Sequence, residues 1–208
     1  MKKFAIFSLA AFAAGAMLLS SCSKTTPVKT IENLKAGITG ETTASAKYAA
    51  FAAKARAEGY DTIAKMFDAT SKAESIHANN HMAALTKLGV EFTAKADSFA
   101  VKTTKENLED AIKGENYENT SMYPEFIKVA MAEKVPEAIT SFTWAFDTEK
   151  KHQVFYQNAL DVLNKTNSET GLPFAWAVCP KCGNTYDAAH IDDFCAFCQT
   201  PKEKFIMF

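Results

Sequence analysis

Apolar residues between positions 31 and 165 recur at intervals of three and four, which is the period of one face of an α-helix. Ile63, Met66, Phe67 and Thr70 form one such stripe and indicate a helix that turns this face inward. Alanine, lysine and glutamate, which favour helices, fill many of the positions between. The pattern predicts four helices, over residues 31–58, 61–88, 103–133 and 136–163.

Glycine and proline mark where these helices end, bend or begin. Gly59 and Gly89 follow the first two helices, at the position where a C-terminal glycine is common. Pro136 stands in the first turn of the fourth helix, where its missing N–H is tolerated. Pro124 falls inside the third helix and predicts a kink or local break. Helices of about 28 residues are typical of a four-helix bundle, so we expect an all-α bundle.

The chain divides into five segments by composition. A polar linker rich in Asn, Ser and Thr separates the helices from a short cysteine-rich end. That end is too small to fold by apolar burial alone, so a metal is expected to hold it together. The predicted segments are a signal peptide at 1–22, a tether at 23–30, the bundle at 31–165, the linker at 166–173 and a small metal domain at 174–208.

Composition limits the possible functions. The chain has 208 residues, a net charge of -1 and 48% hydrophobic residues, enough for a sizeable core. It has no basic excess, so nucleic acid is not an expected partner.

The first 22 residues are typical of an export signal. Lys2 and Lys3 precede a short apolar run, Phe4 to Leu19, that is rich in small residues. The run ends in Leu-Ser-Ser-Cys, which resembles a bacterial lipobox, so Cys22 is expected to become a lipidated N-terminus. An ordinary signal peptide and a transmembrane anchor are the alternatives, but the run is short for a span of about 20 residues. We therefore expect an exported, membrane-anchored lipoprotein that faces the periplasm or cell envelope.

Four cysteines near the C-terminus predict a metal site. Two CxxC pairs, separated by twelve residues, can direct four thiolates at one ion and close a tetrahedral arrangement. In an oxidising compartment bare CxxC pairs would tend to oxidise, and metal ligation keeps them reduced. The predicted ligands are Cys179, Cys182, Cys195 and Cys198.

Each predicted helix also carries one acidic or acidic–histidine group. Residues three apart lie on one face of a helix, so an E-x-x-H pair can direct a carboxylate and an imidazole at the same ion. The five glutamates bring a charge of -5, which two iron ions at roughly +4 to +6 would nearly cancel. Such oxygen and nitrogen ligands suit iron or manganese. The predicted ligands of this dinuclear site are Glu41, Glu74, His77, Glu115, Glu118, Glu149 and His152.

Each of these groups also has a simpler interpretation. Glu41 could be an ordinary solvated residue, and the pair Glu115 and Glu118 could be exposed. His81 follows His77 by four residues and is expected either to lie beside the ligands or on the surface. His190 lies between the two CxxC pairs and is expected on the surface, because four sulfurs already complete that site. The occurrence of one group on every helix favours the metal site.

The residues resemble the rubrerythrin family, in which a ferritin-like diiron bundle precedes a rubredoxin-like iron domain. The resemblance covers about residues 33–208. It includes Gly40-Glu41-Thr42-Thr43-Ala44 in the first helix, Gly114 to Pro124 in the third, and Trp176 to Gly183 around the first CxxC pair.

The resemblance implies an activity and specific roles. Glu74 and Glu149 would bridge two irons, and one iron would exchange Glu118 for His77 on reduction. Tyr48 and Tyr123 would lie near the site and hydrogen-bond a ligand or peroxide. The small β-rich C-terminal domain would hold one Fe(Cys)4 centre. The implied activity is reduction of hydrogen peroxide to water in oxidative-stress defence, with an unknown electron donor and a homodimer in which each Fe(Cys)4 centre faces the partner's diiron site.

Two other functions stay open at this point. One is a ferritin-like protein that binds iron and oxidises Fe(II) without peroxide turnover. The other is a membrane-tethered scaffold with zinc in the cysteine site, although a scaffold has no need for five buried glutamates. The appended cysteine site favours the peroxidase, because it provides a one-electron relay.

Overall fold

The computed structural model describes Met1 and residues 26–208. Cys22, and with it the predicted signal peptide and lipid anchor, lies outside the described residues. Within the part of the chain that is described, no helix combines the length and apolar character needed to cross a bilayer.

Within residues 26–208, five α-helices and a short π-helical turn form the larger part of the fold. The α-helices are α1 (Val28–Ala57), α2 (Asp61–Lys87), α3 (Thr104–Tyr117), α4 (Tyr123–Ala132) and α5 (Pro136–Thr166), and the π-helical turn is Glu118–Met122. Because α3, the π turn and α4 run on from one another, the architecture is the predicted four-helix bundle. Helix α1 begins at Val28, so three residues expected in the tether belong to its first turn.

The π turn is the interruption that Pro124 predicts, although it starts six residues earlier. Pro124 occupies the second position of α4. It has no backbone N–H, and the first turn of a helix tolerates this loss because the N–H groups there have no partner within the helix. In the turn before Pro124 the helix accommodates one extra residue, so the Tyr123 N–H donates to the Glu118 carbonyl five residues earlier. Such π bulges are frequent at functional sites.

Glutamates from distant parts of the chain cap helices that lack their own side-chain cap. Glu133 accepts hydrogen bonds from the first N–H groups of α1, at 2.7 Å from Thr30 N. Glu169, in the linker after α5, accepts from Thr62 N and Ile63 N at the start of α2. These carboxylates satisfy orphan N–H groups and fix the loops against the helix ends.

Three short strands form an antiparallel sheet after the bundle. They are β1 (Trp176–Val178), β2 (Thr185–Asp187) and β3 (Ile206–Met207), in the order β2-β1-β3. Ala177 lies opposite Tyr186 on one side and Met207 on the other. The sheet carries the loops that hold the four cysteines.

The bundle interior contains two apolar clusters with a polar layer between them. One cluster includes Phe51, Phe67 and Tyr156, and the other includes Leu34 and Phe142. The buried glutamates and histidines lie along α1, α2 and α5 between the positions of these two clusters. The β1 strand contributes two residues to the first cluster, so the sheet packs directly on the bundle.

Candidate metal centres

Six of the seven predicted bundle ligands converge in the polar layer. All six side chains are buried. Their donor atoms form two sets, and within each set the atoms lie within 4.8 Å of one another. Glu74 and Glu149 belong to both sets. The sets are Glu41, Glu74, His77 and Glu149, and Glu74, Glu115, Glu149 and His152.

The two shared carboxylates lie between the two imidazoles. His77 Nδ1 is 2.9 Å from Glu74 Oε2 and 2.8 Å from Glu149 Oε1. His152 Nδ1 is 3.0 Å from Glu74 Oε1 and 2.7 Å from Glu149 Oε2. Each carboxylate therefore presents one oxygen to each histidine, which is the arrangement that two bridging carboxylates need between two ions.

The two outer glutamates show that the donor set fits metal ions. Tyr48 donates to Glu115 Oε1 at 2.6 Å, and Tyr123 donates to Glu41 Oε1. Among the described residues, the second oxygens, Glu41 Oε2 and Glu115 Oε2, are buried and have no hydrogen-bond partner. A buried, unpartnered carboxylate oxygen is costly, and a cation in the polar layer would satisfy it.

In the metal-free site, protons on the histidines provide positive charge beside the carboxylates, where the metal ions would otherwise provide it. Burial alone would raise the pKa of Glu74, but the His152 and His77 imidazoles outweigh it and lower this pKa to about 2. Burial likewise opposes the charged form of His152, yet Glu74 and Glu149 raise its pKa to about 9. Without metal, charged imidazoles neutralise the two shared carboxylates. Burial, followed by repulsion from neighbouring carboxylates, raises the pKa of Glu41 and Glu115.

Glu118 is the predicted ligand that the structure keeps apart. It is the first residue of the π turn, is only partly buried, and belongs to neither donor set. Burial and the nearby Glu149 and Glu74 carboxylates raise its pKa, so it lies close enough to sense the site. The family resemblance implies that one iron exchanges Glu118 for His77 on reduction. Of these two residues, His77 belongs to a donor set and Glu118 does not.

The other two histidines have different surroundings. His81 is fully buried against Ser141 and Tyr123, so the surface alternative is wrong. Burial, with a smaller contribution from His77, lowers the pKa of His81 to about 3, which keeps the ring neutral. His190 is exposed and pairs with Asp187, as expected of a surface residue.

The four predicted cysteines form the second centre. All four are free thiols whose sulfurs lie within 4.8 Å of one another. The Cys179 and Cys198 sulfurs are 3.4 Å apart, and the Cys182 and Cys195 sulfurs are 3.5 Å apart. Tyr186 donates to Cys195 Sγ at 3.4 Å, a contact that stabilises negative charge on the sulfur.

The cysteine domain touches the bundle site within the same chain. Thr185 Oγ1 is 2.9 Å from His152 Nε2 and donates onward to the Gly183 carbonyl at 3.1 Å. Gly183, next to Cys182, lies against the His77 ring, where an added Cβ would be 2.6 Å from His77 Cδ2. The contact that the resemblance implies across a dimer is therefore present here within one chain.

Three residues around the site, Gly183, Thr185 and Ser141, were not predicted from the sequence. Gly183 directly follows a CxxC pair, and its φ of +85° is one that glycine adopts readily, so the sequence carried a signal for it. Ser141 precedes Glu149 by eight residues and so shares its helix face. No local pattern identifies Thr185, because its partner lies on another domain.

These features define a class of protein. A buried diiron-carboxylate site in a ferritin-like bundle, joined to a rubredoxin-like domain with a four-cysteine iron site, makes this an iron protein with two kinds of centre.

Comparison with known proteins then assigns the family. Residues 32–160 match the Rubrerythrin family, and the chain belongs to it. Nigerythrin from Nitratidesulfovibrio vulgaris is 37% identical over 185 residues, which are 88% of each chain. Rubrerythrin-2 from Clostridium acetobutylicum is 31% identical and covers 86% of this chain and 96% of its own. Members of this family are generally oxidoreductases.

A solved structure of nigerythrin in a mixed-valence state supports the same assignment. It has a TM-score of 0.77, is 35% identical, and covers 86% of each chain. The similarity therefore extends over the bundle and into the cysteine domain.

The raised pKa of His152 gives a first prediction. Below pH 6.5 His152 is charged in both the folded and the unfolded chain, so its ion pairs contribute fully to stability. As the pH rises to about 9 this contribution is lost, and the raised pKa values of His77, Glu41 and Glu115 act in the same direction. The lowered pKa of Cys195 acts in the opposite direction, so the test uses the metal-free Cys195→Ser variant, and we expect its free energy of unfolding, measured in urea, to fall by a few kcal/mol from pH 6.5 to pH 9.

The iron-loaded protein is the control. Its ligands carry no such protons, so its stability should not fall over this range. A metal-free protein equally stable at both pH values would contradict the described charge arrangement.

Proposed function

We propose that this protein is a peroxidase that reduces hydrogen peroxide to water in oxidative-stress defence, with electrons relayed through its Fe(Cys)4 centre. The observation that supports this most is the direct contact between the two centres, through Thr185 with His152 and Gly183 with His77. A site that only stores iron has no need of a one-electron relay against its ligands.

The bundle provides the setting for a two-electron reduction. When bound, the two irons supply the electrons that reduce the O–O bond. Glu74 and Glu149 hold a fixed spacing between the two ligand sets, because each carboxylate belongs to both. Tyr48 and Tyr123 keep the outer carboxylates in place through buried hydrogen bonds, so little reorganisation is needed when charge changes.

The relay from the cysteine domain follows a short series of contacts. Cys182 is bonded to Gly183, whose carbonyl accepts from Thr185, and Thr185 contacts His152. With Nδ1 directed at the carboxylates, His152 has Nε2 free to donate to Thr185 Oγ1. This route needs only one copy of the chain, and the homodimer stays a prediction.

Lys181 and Asn184 help to hold the two domains together. Asn80 on α2 donates to the Lys181 carbonyl at 3.0 Å, and Lys151 on α5 donates to Asn184 Oδ1 at 2.6 Å. An apolar contact between the Trp176 and Phe155 rings, whose centroids are 4.6 Å apart, adds to these polar contacts. The domain is thus fixed at several points around the relay.

The alternative is a ferritin-like iron protein that oxidises Fe(II) without peroxide turnover. The two functions differ in their reaction with oxidants. A peroxidase, reduced with dithionite until its red colour is lost, should be reoxidised rapidly by hydrogen peroxide and slowly by oxygen. Faster reoxidation by oxygen than by peroxide would favour the ferritin-like function.

Replacing Glu149 by Ala tests the active site. Glu149 belongs to both ligand sets, so its loss should disrupt both metal positions and lower peroxide turnover at least about a hundredfold. The red Fe(Cys)4 absorption should persist, because Glu149 does not contribute to the cysteine site. Turnover and the visible spectrum are measured on the same preparation.

Glu109→Ala is the matched control. Glu109 is an exposed glutamate on α3, outside both ligand sets, and its variant should retain full turnover. Full peroxidase activity in Glu149→Ala would rule out the site assignment.

Replacing Gly183 by Ala tests the relay. The added Cβ would overlap the His77 ring and force the cysteine domain away from the bundle. We expect both iron centres to be retained, while reoxidation of the Fe(Cys)4 centre by peroxide, followed by stopped-flow absorbance, slows at least about tenfold.

Gly59→Ala controls for backbone strain. Gly59 has a φ of +83°, against +85° at Gly183, but its added Cβ would meet nothing within 4 Å. The relay would be wrong if the two alanine variants transferred electrons equally fast.

We also propose that Cys22 carries a lipid anchor and places the protein on the outer side of a cell membrane. The sequence before Cys22 supports this, since Lys2 and Lys3 precede an apolar run that ends in Leu-Ser-Ser-Cys. Labelled palmitate should enter the wild-type protein and not Cys22→Ala, which should leave the membrane fraction. An unlabelled wild-type protein outside the membrane fraction would contradict the anchor.

A further inference from the structure

A chain of buried hydrogen-bonding groups leads from the bundle surface to a ligand of the diiron site. Ser141 Oγ lies 2.6 Å from His81 Nδ1, and His81 Nε2 lies 3.0 Å from the Tyr123 hydroxyl. Tyr123 in turn donates to Glu41 Oε1. His81, Tyr123 and Glu41 are almost completely buried, so water does not compete for these contacts.

The chemistry of Glu41 fixes the direction of every hydrogen bond in this chain. As a metal ligand Glu41 is ionised and can only accept, so in the iron-loaded protein the Tyr123 hydroxyl must donate to it. The Tyr123 oxygen is then free to accept from His81 Nε2–H. A neutral imidazole carries one hydrogen, so Nδ1 must accept from the Ser141 hydroxyl. All three bonds therefore point from Ser141 towards the metal ligand.

The outer end of the chain reaches a surface cavity. Ser141 lines a cavity of about 250 Å³ together with Asn80, Lys87, Glu137 and Thr140. Ala83, Ala84 and Trp144 complete the lining, and the polar and charged side chains among the lining residues give water hydrogen-bond partners at the mouth of the chain. Ser141 itself is about 5% exposed, which places its hydroxyl at the boundary between water and the interior.

The fold leaves room for the His81 ring in this position. Gly37 on α1 faces the ring, and a Cβ added there would lie 3.0 Å from His81 Cδ2. Phe142 also packs against this ring, with ring centroids 5.0 Å apart in an edge-on arrangement. A small residue at 37 is thus what allows an imidazole between α1 and α5.

We propose that Ser141, His81 and Tyr123 conduct protons from this cavity to Glu41 during peroxide reduction. The inference rests on the proposed function, in which each H₂O₂ takes up two electrons from the iron centres and two protons from solvent and gives two H₂O. The O–O bond breaks and two O–H bonds form, so a buried site needs a route for both protons.

Each transfer moves one proton along these hydrogen bonds and leaves Ser141, His81 and Tyr123 uncharged. The Ser141 proton moves to His81 Nδ1, the Nε2 proton moves to the Tyr123 oxygen, and the Tyr123 proton moves to Glu41, which gives it up to an oxygen of the cleaved peroxide. A solvent proton, carried by water in the cavity, replaces the one that Ser141 gave up. Rotation of the hydroxyls and return of His81 to its Nε2–H tautomer restore the starting arrangement.

Two measurements on Ser141→Ala test the proposal. The first is the exchange of His81 Nε2–H with D₂O, followed by NMR in protein loaded with zinc, which is diamagnetic. The second is the first turnover of the reduced iron protein with peroxide. We expect Ser141→Ala to slow both about tenfold or more, and to leave metal content unchanged.

Two further variants separate a relay from general effects on the cavity. Ser141→Thr keeps the hydroxyl and should retain both rates. Thr140 lines the same cavity, but its hydroxyl bonds the Pro136 carbonyl and is outside the chain, so Thr140→Ala should also retain them. Equal slowing in Thr140→Ala and Ser141→Ala would overturn the relay, because it would report only altered access to the cavity.

The outcomes also distinguish the relay from the proposed function. Unchanged Nε2–H exchange in Ser141→Ala would overturn the relay, whatever the reaction with peroxide. If the wild-type protein did not reduce peroxide, the peroxidase assignment would fail, and with it the role of these protons in that reaction.

Discussion

Burying several carboxylates in one helical bundle is the constraint on which the rest of this structure depends. Removing an ionised carboxylate from water costs several kcal/mol even in real proteins, and Glu41, Glu74, Glu115 and Glu149 are all buried within one polar layer. Positive charge in the same layer, or a proton on the carboxylate itself, offsets this cost. In the metal-free chain two imidazoles provide part of that charge, and the unpartnered oxygens of Glu41 and Glu115 show where it is missing. Two iron ions supply the remainder.

This constraint explains the surroundings of the site. The tyrosines at 48 and 123 each hold one carboxylate oxygen and leave the other for metal. Apolar clusters above and below exclude water, which strengthens every interaction inside the layer. The cysteine domain covers the histidines, with a glycine where a side chain would not fit. The proposed routes for electrons and protons reach different ligands of this closed site, because Thr185 contacts His152 and Tyr123 contacts Glu41.

The helices and most of the metal ligands could be predicted from the sequence, because the patterns that indicate them are local. Helical period, terminal glycines and the E-x-x-H spacing act within a few turns, and they predict the four helices and four of the six converged ligands. Glu41 and Glu115 follow only from the occurrence of one acidic group on every helix. Glu118 differs because the π turn begins there, and the only local sign of an interruption is Pro124, six residues later. The contacts of Gly183 with His77 and of Thr185 with His152 cannot be predicted from local sequence, because they depend on how the cysteine domain packs on the bundle. His81 was ambiguous for a related reason: its spacing placed it on the ligand face, but its partners come from two other helices.

The most direct test of the charge compensation is the iron content of anaerobically purified protein, combined with Mössbauer spectroscopy to assign each iron to a site. We predict three irons per chain, two as a coupled pair with oxygen and nitrogen ligands and one with four sulfur ligands. A bundle that holds a single ion, or none, would leave the buried carboxylates without compensation and would contradict this prediction.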